Sequence, residues 1–292
     1  MHTPKTTGRA FKTCLVGGYH VTVLGISAYT LLHRPGFVML LILSPSKTIQ
    51  ESSQSPVVPV SQPELLDQSA VLVAQLAKLT AQKLQVLMGT SEKLTQLNYQ
   101  RYQAWQAPFP ESAPPAILAF QGDVYTGLNA EQMTASQLKY AQDHLRILSG
   151  LYGVLRPLDA MLPYRLEMGT KMKTSQGASL YEFWGEQLTD SINAQLTATK
   201  SKRLVNLASN EYFKSLKVKR LVADVVTPVF KDASNGKYRM VSVFAKKARG
   251  TMAAWMIRKK IKSAQKLIAF AEDGYYYDEA SSTESKPVFL RD

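Results

Sequence analysis

A single basic stretch, residues 200–262, dominates the charge of this 292-residue chain and constrains how it folds. It holds seventeen Lys and Arg residues against three acids, a net charge of +14, whereas the whole chain carries +13. Apolar residues alternate with the cations, as in Tyr212–Lys214 and Val229–Lys231. A disordered basic tail would be poor in apolar residues, so we predict that the cations lie on folded elements and attract polyanions. A solubilising surface, or one neutralised by distant acids, is the alternative.

Cysteine and histidine are too scarce in most of the chain for several kinds of chemistry. Cys14 is the only cysteine, and His144 is the only histidine after residue 38. No disulfide can form within the chain, which is consistent with a reducing, cytoplasmic location. From residue 39 onward, this composition excludes cysteine-based peroxide reduction, Cys/His zinc sites and two-histidine iron sites. We therefore predict that the protein has neither a metal nor a cofactor.

Residues 1–38 contain no acid and include a run, Cys14–Leu32, without formal charge apart from a titratable histidine. A signal peptide, a membrane anchor and an extension produced by a wrongly assigned start are the three interpretations. Glycines dilute the run, and Met39 is followed at once by the strand-like Leu40–Leu43. We therefore expect an extension outside the fold, no membrane association, and one domain over residues 39–292.

Strand-like and helix-like patterns are mixed along the rest of the chain, which predicts a mixed α/β (α+β) fold in a single compact domain. Residues 116–120 and 163–168 read as strands. Ser234–Gly236 is a strong hairpin signal between two further strands. Residues 246–262 read as a helix whose apolar side faces the core. Ser61, three residues before a glutamate, is expected to cap a helix.

Two short helices are predicted over residues 80–98. Thr80 can cap the first helix, and Gly89 can end it because glycine adopts a positive φ at little cost. Ser91 can begin the second helix. This pattern resembles a helix-hairpin-helix, in which backbone N–H groups at a helix start bind a DNA phosphate. Gly89, Thr90, Ser91 and Lys93 are therefore candidate nucleic-acid-binding residues, and a plain structural corner is the alternative.

Further polar residues are candidates for a cleft. Some follow predicted strands, where a turn can hold a phosphate or an acid, and others lie in apolar loops. Arg165 and Glu167 fall on the same side of a predicted strand, so a structural ion pair is the alternative for them. The complete set of possible cleft residues is Lys47, Asp123, Tyr125, Arg156, Arg165 and Glu167.

Several segments, in order from Met39 almost to the end of the chain, resemble the YaaA-type peroxide stress resistance proteins of bacteria. The segments that carry this resemblance are residues 39–48, 122–128, 148–159, 163–169, 206–215 and 244–250. Residues 1–38 lie outside the resemblance.

This resemblance implies a cytoplasmic protein that protects cells against hydrogen peroxide and is associated with low free iron. It also implies nucleic-acid binding through a helix-hairpin-helix beside a positively charged cleft, on an unusual mixed α/β fold. Carried over to this chain, the hairpin is Leu87–Ser91 with Lys93. The cleft residues that the resemblance implies are Lys214, Lys246, Lys247 and Arg249.

Three functions remain open at this point. The first is a monomeric stress protein that binds DNA, including distorted or damaged DNA, through its backbone and without sequence preference. The second is an enzyme acting on damaged DNA or on a phosphorylated small molecule, although no catalytic motif is identified. The third is a regulator that limits free iron through a partner. For the second function, the deciding observation is whether Asp123 and Lys246 share one cleft.

Overall fold

The computed structural model of this chain describes residues 15–16, 19–20, 39–51 and 59–292. The chain divides into two units, Met1–Gly36 and Phe37–Asp292. Most of residues 1–38, for which an extension is predicted, lies outside the described residues. In the described part of the chain, no helix has both the length and the apolar composition of a membrane span.

The strands form a two-stranded ladder in the first unit and two sheets in the second. In chain order they are β1 (Leu15–Val16), β2 (Tyr19–His20), β3 (Met39–Leu43), β4 (Leu145–Ser149), β5 (Gly153–Leu155), β6 (Arg203–Leu207), β7 (Asp224–Val226), β8 (Val229–Ser234), β9 (Lys237–Arg239), β10 (Tyr276–Tyr277) and β11 (Val288–Arg291).

The α-helices formed by the described residues lie in the second unit. In chain order they are α1 (Leu66–Leu76), α2 (Ala81–Met88), α3 (Glu92–Ala104), α4 (Ala116–Ala119), α5 (Asp123–Leu128), α6 (Ala135–His144), α7 (Leu180–Trp184), α8 (Gln187–Ala198), α9 (Asn210–Phe213) and α10 (Ser242–Lys259). The predicted mixed α/β class is thus confirmed.

A five-stranded sheet in the order β5-β4-β3-β6-β7 forms the centre of the second unit. Its middle strand β3 is parallel to both neighbours, and every residue of β3 is buried. A continuous apolar strand of this kind is typical of a parallel sheet that is covered on both faces. After β3, the chain adds β4 and β5 to one edge of β3, and then β6 and β7 to the opposite edge. The strand order therefore reverses between β3 and β6, where α/β sheets commonly form a crevice at their carboxyl ends.

Helix α10 packs tightly against α5. A Cβ atom on Gly250 would lie 1.7 Å from the carbonyl oxygen of Val124, and one on Gly127 would lie 2.1 Å from that of Lys247. Only glycine permits so close an approach of two backbones. The contact therefore fixes the start of α5, at Asp123, beside the first half of α10.

The second sheet has the order β10-β11-β8-β9, and β8 and β9 form the predicted hairpin. Asn235 and Gly236 at its tip both have positive φ, of 52° and 72°, as expected for a tight two-residue turn. Helix α10 begins at Ser242, earlier than predicted. The prediction missed its first turn because that turn is exposed and has no apolar period. The apolar side that was predicted to face the core, including Met252 and Trp255, is buried as expected.

Three local predictions are wrong. Residues 116–119 form helix α4 and Phe120 makes only an isolated bridge with Ile49, because a short buried apolar run has no period that separates a strand from a helix. Residues 163–168 belong to no strand. Ser61 does not cap α1, which begins at Leu66, and its hydroxyl instead donates to the buried carboxylate of Asp159 at 2.6 Å.

Candidate functional site

A cleft of about 350 Å³ lies at the carboxyl ends of β3 and β6, where the strand order reverses. Ser44 follows β3 and Ser209 follows β6, and both line the cleft. The backbone N–H of Ser209 donates to Oγ of Ser44 at 2.8 Å. Below them, the hydroxyl of Tyr125 donates to the carbonyl oxygen of Ser44 at 3.0 Å. The Ser209–Ser44 hydrogen bond ties the two strand ends together, and the Tyr125 hydrogen bond ties α5 to the end of β3.

Helix α10 supplies two cations to the cleft, Lys246 and Arg249. Residues three apart lie on the same face of a helix, so both side chains reach the same space. Asp123 lines the cleft as well, because the close α5–α10 contact places the start of α5 beside α10. Asp123 and Lys246 therefore share one cleft, which was the deciding observation for an enzymatic function.

Arg249 differs from its neighbour Lys247 in its surroundings. The Lys247 ammonium lies 3.3 Å from a carboxylate oxygen of Asp273. The Arg249 guanidinium is half-buried, and no carboxylate among the described residues forms an ion pair with it. Burial lowers the pKa of Arg249, because removal from water disfavours the charged form. The cleft thus holds a half-buried cation that forms no ion pair with a described residue.

Acidic side chains line the other part of the cleft. Glu167 bridges two cations, with its Oε2 2.7 Å from Nζ of Lys47 and its Oε1 3.2 Å from Nη2 of Arg165. Oε1 of Glu211 accepts the backbone N–H of Gly169 at 2.9 Å. The ion pair predicted between Arg165 and Glu167 is confirmed. The cleft is therefore mixed in charge rather than uniformly basic.

Several predicted residues lie outside this cleft. Arg156 forms ion pairs with Asp159 and Glu64, so it belongs to a separate polar cluster. Lys214 is exposed at the end of α9 and does not line the cleft. Lys247 likewise does not line it, and neither does Tyr125, whose hydroxyl donates to the carbonyl oxygen of the lining residue Ser44.

The structure contains the predicted corner between α2 and α3. The Thr80 side chain accepts the N–H of Lys83, and Gly89 ends α2 with a φ of 58°. The Ser91 side chain makes no capping hydrogen bond at the start of α3. Thr90 shares a 2.8 Å hydrogen bond with Thr95 through their hydroxyls. The corner is a helix pair joined by a tight turn.

The corner and the cleft are separate places on the second unit. Gly89, Thr90, Ser91 and Lys93 do not line the cleft, and Lys93 lies in a shallow surface groove on α3. The opposite end of α3 does reach the cleft wall, because the Tyr102 hydroxyl donates to the carbonyl oxygen of Arg165 at 2.6 Å. Tyr102 lies nine residues after Lys93 on α3, so about 14 Å of helix separates the two places.

Acids elsewhere in the second unit do not neutralise the basic stretch. Of its seventeen cations, only Arg203, Arg220 and Lys247 form ion pairs with described residues. The other fourteen remain available to an external polyanion, which argues against the interpretation of a neutralised surface.

Sequence reasoning missed other residues that line the cleft, among them Ser44, Ser46, Tyr164, Ser209, Glu211 and Tyr212. Ser44 directly follows β3 and Ser209 is the second residue after β6, and this position just after a buried strand is the signal that could have identified them. In the described part of the chain, no three Asp, Glu, His or Cys side chains are grouped as metal ligands are. Cations, carboxylates and hydroxyls together suit a ligand that has both a phosphate and hydrogen-bond donors.

Comparison with known proteins identifies the family. The family described as peroxide stress protein YaaA matches residues 39–281. A UPF0246 protein of Aliivibrio fischeri strain MJ11 is 49% identical over 255 residues, which cover 87% of this chain and 98% of that protein. A UPF0246 protein of Shewanella denitrificans is 51% identical over 255 residues, covering 87% of this chain and 99% of that protein. The chain therefore belongs to the family of the peroxide stress protein YaaA.

Proposed function

We propose that this protein protects the bacterial cytoplasm against peroxide by binding nucleic acid through its phosphates, without reading the base sequence. The family description supports the role in peroxide stress. The observation that carries the binding role is that Lys246 and Arg249 reach from the basic stretch into the cleft between β3 and β6. A guanidinium is well suited to bidentate contact with a phosphate.

The surroundings of the cleft also favour a long polyanion. Fourteen cations of the basic stretch have no ion pair with described residues, so the positive field extends beyond the cleft. The corner at Gly89 offers a second phosphate contact, because N–H groups at a helix start carry partial positive charge. We propose that one nucleic-acid chain contacts both places, with Lys93 adding a charge at the corner.

Fluorescence anisotropy with a labelled duplex of mixed sequence, over a series of salt concentrations, tests this proposal. We expect the affinity to fall steeply with salt, with a logarithmic slope of about 0.9 for each phosphate contact. The variant Lys246→Gln/Arg249→Gln should reduce that slope by about 2. The control Lys259→Gln/Lys262→Gln removes equal charge at the other end of α10 and should have a smaller effect. No binding at low salt, or a slope near zero, contradicts the proposal.

The corner is tested separately by Lys93→Gln. Loss of a single phosphate contact should reduce the salt slope by about 1 and weaken binding to all sequences alike. Lys83→Gln removes an equally exposed charge from the neighbouring helix α2 and is the matched control. If Lys93→Gln and Lys83→Gln bind as the unmodified protein does, the corner takes no part in binding.

A second function is favoured by one observation, that Asp123 and Lys246 line the same cleft. A carboxylate and an amine in one site can act as acid, base or nucleophile on damaged DNA or on a phosphorylated small molecule. Incubation with oligonucleotides that carry oxidised bases, followed by mass spectrometry of the products, tests this function. A product that disappears with both Asp123→Asn and Lys246→Gln would support it, and unchanged oligonucleotides would exclude these substrates.

A further inference from the structure

The size of the cleft limits what can enter it. Its volume of about 350 Å³ lies at the lower end of the range of roughly 300–1,000 Å³ for small-molecule sites. A double helix cannot be seated there, since its grooves alone are about 12 Å and 6 Å wide. If the proposed nucleic-acid binding holds, only a small part of the ligand occupies the cleft, while the rest lies on the basic surface.

Three charged groups beside α5 and α10, Arg249, Lys246 and Asp123, form no ion pair with a described residue. Arg249 is half-buried and forms no ion pair with any described residue. Asp123 is also half-buried, and its carboxylate forms no hydrogen bond or ion pair with another described side chain. The other cleft acids differ, since Glu167 pairs with Lys47 and Arg165, and Glu211 accepts a backbone N–H. The cleft therefore offers Arg249 and Lys246 to an anion and Asp123 to a hydrogen-bond donor.

Apolar and aromatic surface completes the lining. Leu166, Leu207, Tyr164 and Tyr212 all line the cleft, and each is almost completely buried. Apolar and aromatic lining beside polar groups suits a ring whose faces are apolar and whose edge carries N–H groups. A nucleobase has this chemistry, and the phosphate of the same nucleotide supplies an anion for Arg249 and Lys246.

We propose that the cleft receives one unpaired nucleotide of the bound nucleic acid, with its phosphate at Arg249 and Lys246 and the N–H edge of its base at Asp123. This inference rests on the proposed nucleic-acid binding and adds to it the kind of nucleic acid that is preferred. Nucleotides at bulges, gaps and ends are already unpaired, so they enter such a cleft without the cost of opening a base pair. Fully paired duplex reaches only the outer basic surface.

The test compares three labelled duplexes with identical flanks: one fully paired, one with a single-nucleotide bulge, and one with an abasic bulge. We expect the bulged duplex to bind about tenfold more tightly than the other two, because only it offers an unpaired base. Free deoxynucleoside monophosphate at millimolar concentration should compete with the bulged duplex and should remove its advantage.

Amino-acid substitutions show which residues produce the preference for the bulged duplex. Arg249→Lys and Asp123→Asn should both reduce the preference for the bulged duplex to about onefold, whereas Lys259→Gln should weaken all three duplexes and keep the preference. Equal affinity of the unmodified protein for all three duplexes would overturn the inference and leave nucleic-acid binding intact. The absence of binding to any duplex at low salt would overturn both. The comparison of duplexes needs no variant, so a variant that fails to fold does not weaken the test.

Discussion

At the scale of single residues, the tyrosines around the cleft are tied to the stability of the fold. Tyr125, Tyr164 and Tyr212 are each less than a tenth exposed, and burial raises the pKa of all three above the ordinary value. Burial has this effect because a phenolate loses its hydration inside a protein. The hydroxyls also have structural partners, such as the 2.6 Å hydrogen bond between Tyr164 and Ser149.

A loss of stability in alkaline solution follows. The pKa of an unfolded tyrosine is about 10, and the folded values are higher, so above pH 10 the folded state binds more protons than the unfolded state. The free energy of unfolding is therefore unaffected by these groups below pH 10 and falls as the pH rises above it. Each fully buried tyrosine should contribute about 1.4 kcal/mol per pH unit to this fall.

Urea unfolding between pH 9 and 11 measures the effect, and Tyr164→Phe should reduce the slope by the contribution of one group. The same measurement on Tyr276→Phe, which removes a phenol from the surface, is the control. A free energy of unfolding that stays level or rises from pH 9 to 11 contradicts the prediction.

At the scale of elements, the contact between α5 and α10 connects the core with the cleft. The same two glycines that allow the close approach, Gly127 and Gly250, also determine how near Asp123 lies to Lys246. A change in this packing should therefore affect both stability and binding, although neither glycine has a side chain that could contact a ligand.

Gly250→Ala tests this connection. Its new Cβ atom would meet the backbone of Val124 at 1.7 Å, so the helices must separate, and overpacking of this kind costs about 1–3 kcal/mol. We expect a lower melting temperature and a weaker preference for an unpaired nucleotide. Gly89→Ala is the comparison, because its Cβ atom would meet nothing within 4 Å and its cost is only the strain of a positive φ, about 1 kcal/mol. A Gly250→Ala protein as stable as the unmodified one would show that the helices are not packed as described.

At the scale of the whole molecule, charge is concentrated rather than spread. Residues 200–262 carry +14, while residues 39–199 carry −2, and most cations of the stretch have no acidic partner among the described residues. A field of this kind raises the rate of encounter with polyanions and is weakened by salt.

Survival of bacteria in hydrogen peroxide tests whether this charge is used in the cell. In cells that lack their own copy of the gene, the unmodified protein should restore survival, and Lys246→Gln/Arg249→Gln should restore less. Lys259→Gln/Lys262→Gln, with the same loss of charge, should restore nearly as much as the unmodified protein. If charge reversal of Lys246, Lys247 and Arg249 to Glu leaves survival unchanged, the protein acts by another route, such as a partner that limits iron.

Local features of the fold could be predicted from the sequence because short-range physics decides them. Thr80 caps α2, Gly89 ends it, and the turn at Asn235 and Gly236 joins β8 to β9, as predicted. Each depends on the backbone preferences of one or two residues. The buried side of α10 follows likewise from the spacing of its apolar residues.

The cleft itself was decided by tertiary structure. Strands β3 and β6 pair although about 160 residues separate them, and their pairing brings Ser44 to Ser209. Lys246 and Lys247 are adjacent and chemically identical, yet one lines the cleft and the other pairs with Asp273. The sequence by itself determined how much positive charge the protein has, which segment carries it, and how several helices and turns begin and end. Which cations share a space with Asp123 depends on long-range packing, which no local pattern of residues records.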